Sequence, residues 1–134
     1  MKTVHCITVP MPDPALNAHP SHGGKWLKTS ATKRARNSAA ILWTASGKPA
    51  VPHAYATVHY AFYLPDKRRR DEQNLKQMLK PTIDGAVDAG IIEDDSIWNL
   101  RDALPSHVAI DKNNPRVTIT IIQVHNSPDG SQQV

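Results

Sequence analysis

The sequence is poor in cysteine, in aromatic residues and in long apolar runs. Of its 134 residues one is cysteine and one is phenylalanine, and the aromatic residues together make up 5%. A single cysteine, Cys6, excludes an intrachain disulfide, and its apolar neighbours favour a small buried side chain. No stretch approaches the roughly 20 apolar residues that span a bilayer, and no apolar core follows the N-terminus as in a signal peptide. We therefore expect a soluble cytoplasmic protein with no membrane partner.

The charge balance is moderately basic. Sixteen Lys and Arg residues face 12 Asp and Glu residues, which gives a formal net charge of +4 and a pI of about 9.4. This excess favours polyanionic partners such as nucleic acids. With 40% hydrophobic and 21% charged residues, the chain is typical of a folded domain rather than a disordered polyelectrolyte. We expect one domain over residues 1–125 and a disordered polar tail over 126–134.

Strand-like and helix-like segments alternate along the chain. β-branched runs and period-two alternation predict strands, whereas apolar residues at helical spacing predict helices. The stretch 97–105 carries no clear pattern. The resulting β-α-β-α-β-β order predicts an α/β (α+β) domain, with two main helices on a small mixed sheet. The expected segments are a strand at 3–9, a loop at 11–27, a helix at 31–45, a strand at 54–64, a helix at 72–89, and strands at 107–110 and 116–124.

The second predicted helix is amphipathic. Its apolar side would pack on the sheet, and its polar side would be free for solvent or chemistry. Pro81 lies inside it, where proline removes a hydrogen bond, so we predict a kink or a break there. Gly90 suits a left-handed C-cap. The polar side comprises Gln73, Lys76, Gln77, Lys80, Asp84 and Asp88.

Charged residues bracket this helix. Arg68, Arg69, Arg70 and Asp71 precede it, and the acidic turn 93–95 follows it. A helix of this length carries the chain about 25 Å, at 1.5 Å per residue. The two acidic groups would then lie at its opposite ends. They can meet in one metal site only if the loops fold back or if a second subunit supplies one group.

The motif that results resembles a known family. A basic run leads into an acidic D-x-x-N stretch, a helix with K-P-x-x-D-G-x-x-D-A-G, and an acidic D-D-S turn. This composite over about residues 66–98 resembles the RusA family of Holliday-junction resolvases, which phages and prophages often carry. The matching residues are Arg68, Arg69, Arg70, Asp71, Asn74, Lys80, Pro81, Asp84, Gly85, Asp88, Ala89, Gly90, Asp94, Asp95 and Ser96.

The resemblance implies a homodimeric, Mg²⁺-dependent endonuclease, with Mn²⁺ as an alternative ion, that nicks paired strands of four-way DNA junctions. It implies that the protein is bacterial or phage-encoded. Asp71 and Asp95 would bind the metal and Lys80 would be the catalytic lysine. The supporting residues would be Glu72, Asn74, Asp84 and Asp94, and the DNA contacts would be Arg68, Arg69, Arg70 and Lys76.

One position departs from the family pattern. Gln73 stands where the family has a second metal-binding aspartate. An amide oxygen can hold Mg²⁺, but it lacks the charge that hard cations favour. Glu72 would replace it only if residues 71–73 are not helical. The alternative is therefore a junction-binding protein with weakened cleavage, and a third interpretation is a small dimeric interaction protein without a nucleic-acid role.

Several of these residues also have ordinary structural explanations. The arginine run is compatible with a solvated turn, and the acidic turn with a helix cap. Lys80 and Asp84 form an i, i+4 pair, which on an exposed helix contributes about 0.3–0.5 kcal/mol. Trp98 suits core or interface packing, as well as stacking on an unpaired base.

Overall fold

The computed structural model describes residues 3–16 and 24–125, with the side chains of residues 24–27 excepted. The predicted tail at 126–134 and part of the predicted 11–27 loop lie outside this range. The described elements are β1 (Val4–Pro10), a 3₁₀ turn (Pro14–Leu16), α1 (Gly24–Ala45), β2 (Ala56–Leu64), α2 (Glu72–Met78), α3 (Lys80–Asp88), β3 (Leu100–Asp102), β4 (His107–Ile110) and β5 (Arg116–Gln123).

The five strands form one mixed sheet. β5 lies between β1 and β2 and is antiparallel to both. β3 and β4 follow one another along the other edge of β2, and both run parallel to it. The predicted mixed α+β fold is therefore confirmed, and β2 is the central strand that its alternation predicted. Helix α1 begins at Gly24, earlier than the expected residue 31, and β3 is an additional strand that the sequence did not predict.

The helices cover one face of the sheet. Alternate residues of β2 from Ala56 to Leu64 are buried, whereas those between them are half-buried. Trp43 of α1 is fully buried, and its indole N–H donates to the Thr82 carbonyl of α3 at 2.9 Å. Because α1 and α3 both contribute to this core, the position of α3 depends on α1.

The prediction that the Cys6 side chain is buried is wrong, because Cys6 is exposed. Its neighbours His5 and Ile7 are buried instead. Successive side chains of a strand point to opposite faces, so Cys6 lies on the face of β1 away from the core. Its apolar neighbours in sequence gave no indication of which face would be covered.

The predicted break near Pro81 is confirmed. α2 ends at Met78 and α3 begins at Lys80, with Leu79 between them. Pro81 therefore falls in the first turn of α3, where a missing N–H leaves no intrahelical bond unmade. Gly90 has a φ of 76°, which confirms the left-handed residue that ends the helix.

Within the described part of the chain, no helix has the length and apolar character needed to cross a membrane.

A buried histidine pair ties β1 to the segment before β2. The Nε2 atoms of His5 and His53 lie 2.8 Å apart, and both rings are buried. Burial lowers the pKa of each histidine, because a charged ring would lose its hydration. The pair is therefore neutral in the folded protein near pH 7, with one ring donating and the other accepting.

This pair predicts a loss of stability in mild acid. A histidine whose folded pKa is lowered contributes stability above its unfolded pKa of about 6.5, and this contribution is lost as pH falls toward the folded value. We expect the urea midpoint of the wild type to fall between pH 7.5 and pH 5, and to fall less in the variant His53→Gln. The control is His125→Gln, at an exposed position. Equal pH dependence of all three proteins would contradict the prediction.

Candidate functional site

A lysine held by two aspartates forms the centre of the candidate site. The Lys80 ammonium donates to Asp84 Oδ1 at 3.1 Å and to Asp95 Oδ2 at 2.9 Å. Lys80 and Asp84 come from successive turns of α3, and Asp95 comes from the acidic turn that follows it. The Lys80 side chain remains 65% exposed, so a ligand in solvent can reach it.

The acidic turn reaches Lys80 because the chain folds back after Gly90. Ile91 and Ile92 are fully buried and anchor the returning segment in the core. The backbone of His53 holds it from the other side, since its N–H donates to the Ile91 carbonyl and its carbonyl accepts from Glu93 N. The acidic turn therefore runs back beside α3 and reaches Lys80, which is the folded-back arrangement that the sequence left open.

The charges at this centre stabilise one another. The hydrogen bond with Asp95 raises the pKa of Lys80, with Asp84 as a further contribution. The same bond lowers the pKa of Asp95. Asp94 supports the turn locally, since its Oδ1 accepts from the Asp95 N–H at 2.8 Å. Near neutral pH the centre thus holds a protonated amine and an ionised Asp95 carboxylate.

Lys80 and Asp95 line a groove of about 480 Å³ between the helices and the β3 edge of the sheet, whereas Asp84 lines a neighbouring groove. The polar side chains of α2 and the start of α3 form one wall, and the segment from the acidic turn to Leu104 forms the other. The lining residues are Gln73, Lys76, Gln77 and Lys80 on the helix wall, Asp95, Ile97, Arg101, Asp102 and Leu104 on the outer wall, and Val58, Tyr60, Ile83 and Leu100 beneath.

Lys76 does not lie on a free face, although the helix pattern places it on the polar side. Its side chain is only 8% exposed, and its ammonium donates to Asp102 at 3.1 Å. The ammonium also lies 5.2 Å from the centre of the Tyr60 ring. Burial raises the pKa of the Tyr60 hydroxyl, so the ring stays neutral. The cause is β3, which brings Asp102 against α2 and which has too few residues to show a strand pattern.

The arginine run borders a second groove, of about 600 Å³, on α2. Arg68 and Arg69 are exposed there, and Asn74 lines the same groove. Asp71 also belongs to it, and caps α2 by accepting the Gln73 N–H at 2.9 Å. Asp71 and Asp95 therefore line different grooves, and a shared metal site within one chain stays a prediction.

Arg70 is engaged within its own loop. Its guanidinium pairs with Asp66 at 2.9 Å and donates to the carbonyls of Asp66 and Arg68. Its side chain is 13% exposed. These contacts fix the turn between β2 and α2, so the exposed guanidiniums of the run are those of Arg68 and Arg69.

The remaining predicted residues divide between the two sides of α2. Glu72 is the first residue of α2 and is exposed, and Gln73 is exposed and lines the Lys80 groove. Since both are helical, Glu72 points about 100° away from Gln73. Glu72 was expected to take the place of Gln73 only if this segment was not helical, and that condition is not met in this structure.

The acidic residues around Lys80 suit a Mg²⁺ ion that takes only two carboxylates from the protein. Among residues 3–16 and 24–125, no group of three or more His, Cys, Asp or Glu side chains is placed to hold a metal ion. Mg²⁺, however, commonly binds through one or two carboxylates together with substrate phosphates and water. Asp84 and Asp95 supply two carboxylates within reach of one ammonium, and Gln73 adds an amide in the groove that Lys80 and Asp95 line. This donor set suits an ion that already carries a phosphate ligand.

Fold and site together define a two-layer α+β domain with a lysine–aspartate groove at one edge of its sheet. A scan against protein-family models finds no match for the chain, and a search of curated proteins finds none either.

Proposed function

We propose that this protein is a metal-dependent endonuclease that acts on four-way DNA junctions. The observation that carries the proposal is Lys80, clamped between Asp84 and Asp95 in an open groove. Phosphodiester hydrolysis needs carboxylates for a divalent ion and a cation for the charge that develops on phosphate. All three groups are present and reachable from solvent.

Lys80, Asp84 and Asp95 have distinct roles in this proposal. Asp84 and Asp95 would hold Mg²⁺ or Mn²⁺, which supplies an activated water and neutralises phosphate charge. Lys80 would stabilise the negative charge of the transition state. Because its pKa is raised, Lys80 is a poor proton donor near neutral pH, so an electrostatic role is favoured over protonation of the leaving oxygen.

The distribution of basic residues supports a DNA partner. Arg68 and Arg69 are exposed beside the second groove. Lys28, on α1, lines a further groove that Lys80 and Asp84 also border. Arginine and lysine near an exposed cationic centre are suited to contacts with several successive phosphates. The sequence of α1 contains no acidic residue, and its basic residues are Lys25, Lys28, Lys33, Arg34 and Arg36.

Paired nicks in a junction require two active sites related by a two-fold axis, so the proposal includes a homodimer. Asp71 fits this arrangement as a residue of the second groove, where it would bind metal or position DNA while it caps α2. Asn74 borders Asp71 in the same groove.

A second candidate is a junction-binding protein that does not cleave. The observation in its favour is Gln73, a neutral amide in the groove where the resembling family has a carboxylate. A protein that binds without cleaving also agrees with a second observation. Among the described residues, no three His, Cys, Asp or Glu side chains are placed together to hold a metal ion. Such a protein would hold the junction through its basic surface and leave the phosphodiester bonds intact.

The test is cleavage of a labelled four-way junction in a few millimolar Mg²⁺, with binding measured in parallel in EDTA. We expect wild type to make symmetric nicks, and Asp95→Asn to bind the junction without cutting it. Tight binding without nicks, rescued by Gln73→Asp, would favour the second candidate. Absence of both binding and cutting would reject both.

Asp71→Asn separates capping from charge in the same assay. Asparagine caps a helix about as well as aspartate, so the fold of α2 is retained while the carboxylate charge is lost. Asp71→Ser is the matched capping control. Loss of cleavage in both, with unchanged thermal unfolding, would support a role for the Asp71 charge in the reaction.

A further inference from the structure

Two exposed apolar side chains line the lysine–aspartate groove, and a third exposed apolar side chain follows one of them in the chain. Ile97 is 62% exposed, Trp98 is 63% exposed and Leu104 is 72% exposed. Ile97 and Leu104 line the groove itself, and Trp98 follows Ile97 in the chain. We refer to these three residues as the apolar rim. Exposed large apolar side chains gathered at one groove are typical of an interaction site.

The turn that carries Ile97 and Trp98 is held by a network of hydrogen bonds. Ser96 Oγ donates to Asn99 Oδ1 at 2.7 Å, and Asn99 Nδ2 donates to the Ala54 carbonyl at 3.0 Å. The Asn99 and Leu100 N–H groups both donate to the Ser96 carbonyl. The exposed pair is therefore displayed on an ordered turn, which begins directly after Asp95.

The surroundings of the rim indicate what kind of ligand would cover it. Lys80 and Arg101 line the same groove, so apolar and cationic side chains face one ligand space. The core of a protein–protein interface is depleted of charged residues. Nucleic acid carries flat apolar bases alternating with phosphates, which is the combination that aromatic and cationic side chains recognise together.

We propose that the apolar rim binds an unstacked nucleobase of the DNA strand whose phosphate lies at Lys80, with Trp98 as the stacking platform. This inference rests on the proposed function, and it deepens it by assigning a residue that recognises unpaired bases. Bases at the branch point of a four-way junction, or in single strands, are free to leave the stack, whereas bases of a continuous duplex are not. The rim would thus distinguish branched or single-stranded DNA from duplex.

The test compares binding of three DNA probes in EDTA, so that no cleavage occurs. The probes are a four-way junction, a single-stranded oligonucleotide and a duplex of the same sequence. Removal of a stacking side chain weakens binding by about 5- to 150-fold per base. We expect Trp98→Ala to weaken junction and single-strand binding within this range and to leave duplex binding nearly unchanged.

Two variants serve as controls. Trp98→Phe keeps an aromatic face and is expected to restore most of the affinity. Ile41→Ala removes an apolar side chain of α1 that is 72% exposed and does not line the groove, and it is expected to leave all three affinities unchanged. Sedimentation velocity of each variant reports the oligomeric state.

Three outcomes would overturn the inference, and two comparisons with cleavage separate it from the proposed function. Unchanged junction and single-strand binding by Trp98→Ala would show that the indole does not contact bases, and equal weakening on all three probes would show a general effect. Conversion of a dimer to a monomer by this substitution would identify the rim as a subunit interface. Cleavage by wild type with unaltered binding by Trp98→Ala would leave the proposed function intact. Base-dependent binding through Trp98 without cleavage would reject the nuclease and retain the inference.

Discussion

Replacement of Lys80 by methionine is expected to lower junction cleavage by about 10²- to 10³-fold, the usual effect of removing one preorganised group that stabilises transition-state charge. Methionine retains most of the apolar stem and removes the charge. The side chain is 65% exposed, so the fold should tolerate the change. Single-turnover cleavage with the junction bound to excess enzyme measures the step directly and separates it from binding.

The same substitution should have the opposite effect on metal binding without DNA. Lys80 occupies hydrogen-bonding positions on Asp84 and Asp95 that a divalent ion would also use. An ion that binds to both carboxylates must displace the ammonium or share their oxygens with it. We therefore expect Lys80→Met to bind Mn²⁺ more tightly than wild type in calorimetry, while it cleaves more slowly.

Two variants control this prediction. Lys80→Arg keeps the charge and should retain part of the activity, although its planar fork does not reproduce a compact ammonium. Lys112→Met removes an exposed lysine from the turn between β4 and β5 and should change neither quantity. Weaker Mn²⁺ binding by Lys80→Met would contradict the arrangement in which lysine and metal share the two carboxylates.

The pattern of helix and strand was largely readable from the sequence, whereas Asp95 was named beside Lys80 through the family resemblance and not through any local pattern. The spacing of Lys80 and Asp84 places both on one helix face, and their contact follows from that spacing. Asp95 joins them only because Ile91 and Ile92 are buried and draw the returning segment against α3. That packing depends on tertiary structure, which a helix wheel does not contain.

The burial of Lys76 likewise depends on tertiary contacts that a helix wheel does not contain. A wheel for one continuous helix places it on the polar side with Lys80, and no local signal links it to Asp102. The pairing requires β3, which has three residues and shows no alternation. Short edge strands are specified by the neighbours that pair with them rather than by their own sequence. The exposed Cys6 likewise depends on which face of β1 is covered.

Gly85→Ala is expected to destabilise the protein by about 1–3 kcal/mol, although alanine is the better helix former by about 1 kcal/mol at an unconstrained position. A Cβ at residue 85 would lie 2.8 Å from Ala39 Cβ, 2.9 Å from Ala40 N and 2.9 Å from the Arg36 carbonyl oxygen. Two of these three atoms belong to the backbone of α1, so no side-chain rotation can relieve the contact. Urea unfolding should show a lower midpoint with an unchanged m-value.

The double variant Ala39→Gly/Gly85→Ala tests whether the cause is this helix contact. It removes the Ala39 Cβ but leaves the two backbone contacts, so recovery of stability should be partial, with a coupling energy that a double-mutant cycle measures. A Gly85→Ala variant more stable than wild type would show that α1 and α3 are not packed this closely.

The close packing of Gly85 against α1 also affects the geometry of the candidate site. Lys80 and Asp84 belong to α3, while Asp95 belongs to the segment anchored by Ile91 and Ile92. A displacement of α3 from α1 would move the ammonium relative to Asp95, so Gly85→Ala should lower cleavage even at temperatures where the protein remains folded.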